Sequence, residues 1–150
     1  MRAVVQRVTS ARVRVGDRVV GAIERGLLVL VGVARNDGPE DVAYVTAKIR
    51  DMRVFDGEDG RPNHRSVMDI QGSVLLVSQF TLFGDLRKGR RPSFDAAAPP
   101  DLARQRYGEL VRELAAAPLP VATGEFRASM NVELVNDGPV TMLIDSRRAF

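Results

Sequence analysis

The sequence contains no cysteine and only one histidine, His64. Without cysteine, disulfides and thiolate metal sites are excluded outright. With one histidine, no histidine metal cluster can be assembled, and no nucleophile–histidine relay is evident. His64 itself lies between Asn63 and Arg65 in a polar stretch and reads as a solvated loop residue. Acidic residues are scattered, and no helix-spaced carboxylate pair stands apart from solvated faces. No metal and no cofactor is expected. Long hydrophobic runs are missing too. The longest, Leu27 to Ala34, is far short of the ~20 residues a membrane helix needs. Only a few apolar residues precede Gln6-Arg7, too short a stretch for a signal peptide. A cytoplasmic protein with no membrane partner is the expectation.

What remains is ordinary in bulk and uneven in detail. The 150 residues, 45% hydrophobic and 27% charged, suit one globular domain, 1–150, able to bury a core without staples. No repeat or linker divides them. The net charge is only +3, but 20 of the 22 basic residues are arginine, whose planar fork suits phosphate and stacks on bases. Arg87, Lys88, Arg90 and Arg91 form the densest cluster. A charge run of this kind is usually a solvated loop.

The first third reads as β. Arg12 to Val15 alternates, Gly16-Asp17 supplies turn chemistry, and Arg18 to Ile23 returns as a hairpin strand. Leu27 to Val33 is apolar on both faces, which predicts a central strand. Pro39 to Met52 repeats Val42, Val45, Ile49 and Met52 at helical spacing behind a first-turn proline. The segment 56–63 is a loop by composition, and Ser73 to Leu82 reads as a strand. The stretch from Phe83 to Ala98 is long, Gly-containing and basic, which is more often functional than idle. A second helix spans about Asp101 to Ala116, closed by Pro118 and Pro120. Ser129 to Val135 and Val140 to Asp145 complete the order. The predicted class is α+β, sheets with two covering helices.

Two segments stand out. Ser78-Gln79-Phe80-Thr81-Leu82-Phe83 ends a strongly apolar run. On its own residues it reads as a strand end, with Phe80 and Leu82 inward and Ser78 and Thr81 satisfied locally. The functional alternative is a chain end that offers amide N–H groups to an ester carbonyl, as an oxyanion hole does. The second segment, Asn136-Asp137-Gly138-Pro139-Val140-Thr141, carries an internal control, because Asn36-Asp37-Gly38-Pro39 repeats its first four residues ahead of a helix. Turn chemistry explains both copies. Only the second is framed by Met130 to Val135 on one side and Val140-Thr141 on the other.

In that context the two segments resemble the signature motifs of the D-aminoacyl-tRNA deacylases. The resemblance extends through Met1 to Val8 and Arg87 to Phe94, so it spans nearly the whole chain. It implies a barrel-like core of antiparallel and mixed sheets, and hydrolysis of the ester that joins a D-amino acid to the terminal ribose. Ser78, Gln79, Phe80 and Thr81 would form the catalytic pocket, with Met130 lining it. Gly138 and Pro139, joined by a cis bond, would project carbonyls into the partner subunit's pocket of a homodimer and exclude L side chains. Arg7, Asn136 and Thr141 would support that filter. Arg87, Lys88, Arg90 and Arg91 would hold the tRNA acceptor end. Glycine offers no side chain to reject, so glycyl-tRNA mischarged on tRNA-Ala is an expected substrate.

With no protein base in evidence, the substrate's 2′-hydroxyl is the preferred proton carrier and Thr81 as nucleophile ranks second. Two other classes stay open on the residues alone. One is a non-catalytic RNA-binding protein, and the other a small-molecule esterase using Ser78 or Thr81.

Overall fold

Fourteen residues near the N-terminus form one long strand, β1 (Arg2–Val15), on which the rest of the sheet is built. This is a computed structural model, and it describes residues 1–150. β2 (Arg18–Ile23) and β3 (Gly26–Gly32) run back along one edge of β1, from Val15 opposite Arg18 to Arg2 opposite Gly32. β4 (Ser73–Ser78) lies parallel to β3, and the short β5 (Val121–Thr123) parallel to β4. β6 (Asn131–Asp145) pairs with the other edge of β1, antiparallel. The sheet is therefore mixed.

Its far ends nearly meet. Gly21 of β2 lies against Thr123 of β5 so closely that a Cβ there would stand 2.2 Å from the Thr123 carbonyl oxygen. The sheet thus curls almost into a barrel, as the α+β expectation with a barrel-like core requires.

The apolar runs of β3 and β4 are buried on both faces, and the two-residue period of a strand sorts them. Leu27, Val29, Val31, Val74 and Leu76 face the larger cluster under the helices. Leu28, Leu75 and Val77 face a smaller one inside the curl, with Val8, Ala11 and Val13 from β1. Helix α1 (Pro39–Asp51) contributes Val42, Val45 and Ile49 to the larger core, and α2 (Pro100–Ala116) contributes Tyr107, Leu110 and Leu114. Each such aliphatic side chain, fully buried, is worth roughly 1.5–3 kcal/mol. The Tyr107 hydroxyl donates to the Leu76 carbonyl at 2.8 Å and ties α2 to β4; burial raises its pKa well above the usual tyrosine range.

The first Asn-Asp-Gly-Pro copy starts α1, as its turn chemistry predicts. Asp41 accepts from the Gly38 amide at 2.8 Å, and Asp37 accepts from the Met1 ammonium at 2.7 Å. Burial pushes the Asp41 carboxyl up, but hydrogen bonds from Ser146 and Gly38, with nearby positive charge, hold it below the usual range.

Three expectations need correction. The strand expected over Ser73 to Leu82 ends at Ser78, and Phe80–Phe83 is a 3-10 turn. Phe80 is 54% exposed rather than inward, and Phe83 takes the buried position. β6 runs unbroken through the second Asn-Asp-Gly-Pro copy, where a turn between two strands was expected. β5, three residues behind two prolines, carried no readable pattern.

The near-closure can be tested at Gly21. Gly21→Ala places a methyl against backbone that has no room to yield, so destabilisation of about 1–3 kcal/mol is expected. Urea denaturation of the two proteins measures it; equal midpoints would show that β2 and β5 do not meet there.

Candidate active site

The sheet bonding of the Ser78 segment ends where the Gln79 amide donates to Val31 O at 2.7 Å. The chain then turns, with Leu82 N donating to Gln79 O at 3.3 Å and Gly84 N to Thr81 O at 2.9 Å. Gly32 lets the turn sit directly on β3, because a Cβ there would meet Gln79 O at 3.0 Å and Phe83 at 3.1 Å. Phe83 anchors the turn inward. The amides of Phe80 and Thr81 precede the first hydrogen-bonded amide of the turn, so they have no acceptor within it. Both residues are exposed. The Thr81 hydroxyl accepts from the Gln79 side-chain amide and has no ionisable neighbour bonded to it.

The basic loop is joined to this turn. Phe94 meets Phe80 edge to face at 5.0 Å between ring centroids. Asp85 and Ser93 exchange backbone bonds of 2.8 and 2.9 Å and close the loop between them. At its tip Lys88, Arg90 and Arg91 are exposed, and no carboxylate of the chain pairs with them. Arg87 differs, since its guanidinium and its amide both donate to the Asp85 carboxylate. Those bonds pull the Asp85 carboxyl down to about 2.

The Gly138-Pro139 segment is built by a defect in the ladder between β1 and β6. Gln6 faces Thr141 and Val8 faces Asn136, so Arg7 alone stands opposite the four residues Asp137 to Val140. A bulge of that size is pushed out of the sheet. Its Gly138–Pro139 bond is cis, and both residues are exposed. Arg7 fills the gap. Its Nε donates to Asp137 O at 3.1 Å and its Nη1 to Val54 O at 2.6 Å. The Asp56 and Asp137 carboxylates lie 3.6 and 3.5 Å away. Gly138 has φ +122°, and a Cβ there would meet Arg7 Nη2 at 2.9 Å. Asn136 accepts from the Val140 amide at 3.2 Å and closes the bulge, while Thr141 Oγ1 accepts from both Asn136 and Gln6 at 3.3 Å.

Sequence reasoning missed Val54, Asp56 and Gln6 in this arrangement. Gln6 adjoins Arg7 in the matching N-terminal segment, but nothing local marks the other two. Met130 lies half-buried over the smaller apolar cluster, its sulfur near Gly124. His64 is exposed in its loop.

One chain does not bring the two segments together. Ser78 pairs with Val31, Val31 with Ala3, and the bulge is four residues along β1 at Arg7. Three strand spacings across and four residues along separate them by roughly 20 Å. Nor does either segment line the two main concavities, of about 550 and 340 Å³. The larger runs beside Ser10, Ile23 and Val135, the smaller beside Met68 and Pro118.

A family model described as D-Tyr-tRNA(Tyr) deacylase matches residues 4–145. The chain belongs to that family and is an enzyme of the deacylase class. The D-aminoacyl-tRNA deacylase of Desulforudis audaxviator is 57% identical over 150 residues, all of both chains. That of Thermosipho africanus is 55% identical over the same full span. Among solved structures, c-Myc DNA Unwinding Element Binding Protein is 41% identical with a TM-score of 0.92, covering 97% of this chain and 98% of its own. A probable eukaryotic D-amino acid tRNA deacylase shares the fold at TM-score 0.80 and 16% identity, with 95% and 97% covered.

The Asp85–Arg87 pair has a direct test. Because the folded-state pKa is depressed from 3.8, the pair is intact above that value and lost as pH falls through about 2. NMR titration of the Asp85 carboxyl should show this, and Arg87→Ala should return it toward the ordinary range. An unchanged titration in Arg87→Ala would mean the pair does not form in solution.

Proposed function

We propose that this protein hydrolyses D-aminoacyl-tRNA to free D-amino acid and tRNA. The observation that carries the reading is the turn at Ser78–Phe83, exposed at Phe80 and Thr81, with those two amides lacking acceptors and no acid or base bonded to its hydroxyls. Such a site cannot activate a nucleophile of its own, but it can stabilise charge on oxygen. Water adds to the ester carbonyl carbon, and the amides of Phe80 and Thr81 receive the oxyanion. The bond to the ribose oxygen then breaks, that oxygen is protonated, and the substrate's neighbouring 2′-hydroxyl relays the proton. Ser78 and Gln79 border the pocket, and Gln79 fixes the Thr81 hydroxyl. Met130 contributes to the wall.

Chirality is read by exclusion. The Gly138-Pro139 bulge, held by Arg7, Asn136 and Thr141, places rigid backbone where an L side chain would go. A side chain on the other hand of the α-carbon, or none at all, passes. D-aminoacyl-tRNA and glycyl-tRNA, including glycine mischarged on tRNA-Ala, are therefore substrates. Because the bulge and the turn of one chain lie far apart, the filter serves the turn of a second copy in a homodimer. The exposed bulge at a sheet edge supports that arrangement. Lys88, Arg90 and Arg91 hold acceptor-end phosphates, and Arg87 joins them when it leaves Asp85. No helix is long and apolar enough to cross a membrane, and the substrate is a cytoplasmic one.

The test is hydrolysis of D-tyrosyl-, L-tyrosyl- and glycyl-tRNA at matched concentrations, beside a generic ester. Cleavage of the D form and of glycyl-tRNA, with the L form spared, is expected. Equal D and L cleavage would overturn the filter, binding without cleavage would favour an RNA-binding protein, and preference for the generic ester a small-molecule esterase. In the same assay Phe80→Pro deletes one amide donor at a first-turn position that accepts proline. It should cost about 10²–10³ in kcat, whereas Phe80→Leu and Thr81→Ala retain most of the activity. Loss in Thr81→Ala as complete as in Phe80→Pro would make Thr81 the nucleophile.

A second measurement concerns the loop. Replacing Lys88, Arg90 and Arg91 by alanine should flatten the salt dependence of tRNA binding by roughly 0.7–0.9 per contact in log K against log salt. Adding Arg87→Ala should change it less, since that side chain is already engaged. An unaltered slope would show a merely solvated loop.

A further inference from the structure

We propose that Arg2 is a positioning residue for the deacylase reaction, clamping the Ser78–Phe83 turn from the neighbouring strand. Arg2 lies on β1 with Gly32 beside it on one edge and Asp145 on the other. Its Nε donates to Asp145 Oδ2 at 3.0 Å, and its Nη1 donates to the Leu82 carbonyl at 3.2 Å. The guanidinium also covers the Phe83 ring, 4.7 Å from the centroid. Asp145 is itself fixed, buried and accepting from the Arg147 amide at 2.7 Å through its other oxygen. One side chain thus ties the end of the sheet to two consecutive residues of the turn.

The turn needs such a tie. Its short 3-10 form leaves carbonyls at its end without partners, and Leu82 O is one of them. Gly32 lets the turn lie against β3 but supplies no side chain to grip it. If Arg2 served only to balance Asp145, a lysine would do as well. Reaching Asp145 and Leu82 O together, while stacking on Phe83, requires the planar fork of arginine. The proposal rests on the reading that this turn carries the catalytic amides. A displacement of about 1 Å at such donors costs up to roughly 100-fold in rate.

The experiment uses the full-length protein and D-tyrosyl-tRNA. Arg2→Lys keeps a cation beside Asp145 and gives up the bond to Leu82 O. It should unfold at nearly the wild-type temperature, lose about 10- to 100-fold in kcat, and leave KM within twofold. Its preference for D over L should be unchanged, because the filter is a separate element, the bulge held by Arg7 and Asn136, which Arg2 does not touch. Amide hydrogen exchange at Leu82 and Gly84 should quicken. Arg2→Met, which also strands Asp145, should lose the same kcat and some stability besides. Wild-type kcat in Arg2→Lys, or a loss in both variants that only tracks the unfolded fraction, would overturn the proposal. Phe80→Pro in the same assay separates the causes. If it is impaired while Arg2→Lys is not, only the role of Arg2 fails. If it is fully active, the reading of the turn fails, and the proposal with it.

Discussion

The structure depends on β1 being hydrogen-bonded along both of its edges. A strand in that position must satisfy every amide and carbonyl on two sides, so any irregularity in a neighbour has to be made good locally. At Arg7 the ladder to β6 lapses over four residues, and the guanidinium supplies donors where backbone donors are missing. The same side chain reaches Val54, beyond α1, and so locks the bulge to a part of the molecule outside the sheet. At Arg2 the same strand reaches the turn after β4. The two motifs are thus governed from one strand, five residues apart, although they lie far from each other.

The two copies of Asn-Asp-Gly-Pro show how context decides what identical residues do. In the first, Asp37 is buried and binds the Met1 ammonium, and Pro39 opens a helix. In the second, Asp137 is partly exposed, and its backbone carbonyl is held by Arg7. The tetrapeptide encodes a change of direction and nothing more. The residues downstream of it, apolar at helical spacing in one copy and paired with β1 in the other, determine whether the proline opens a helix or sits in a strand bulge.

Much of this architecture was legible before the structure. Val42, Val45 and Ile49 reveal α1 by spacing alone, and the apolar runs of β3 and β4 announce strands buried on both faces. The failures share one cause. Alternation through Phe80 and Leu82 suggested a longer strand, but the backbone turns because Gly32 admits it, Phe83 packs inward and Arg2 takes the Leu82 carbonyl. The contacts with Gly32 and Arg2 come from far away in the chain. β6 was read as two strands because Gly138-Pro139 carries turn chemistry; only pairing with β1 on both sides of the bulge makes it one. The motif residues were visible in the sequence, whereas Val54 and Asp56 as partners of Arg7 were not, since a carbonyl acceptor leaves no mark on residue type. The separation of the turn from the bulge was equally invisible, being a property of strand order.

The bulge has one more consequence, for the outer edge of β6. That strand is 15 residues long and pairs on one side only, and it exposes Val135, Met142 and Leu143. An uninterrupted edge of this length is a template on which further chains can add, strand upon strand, toward insoluble fibrils. The extruded residues 137–140 divide it into two short tracts offset from each other, so no incoming strand can run in register along the whole edge. The device that shapes the surface around Pro139 also keeps a sticky border from growing without limit.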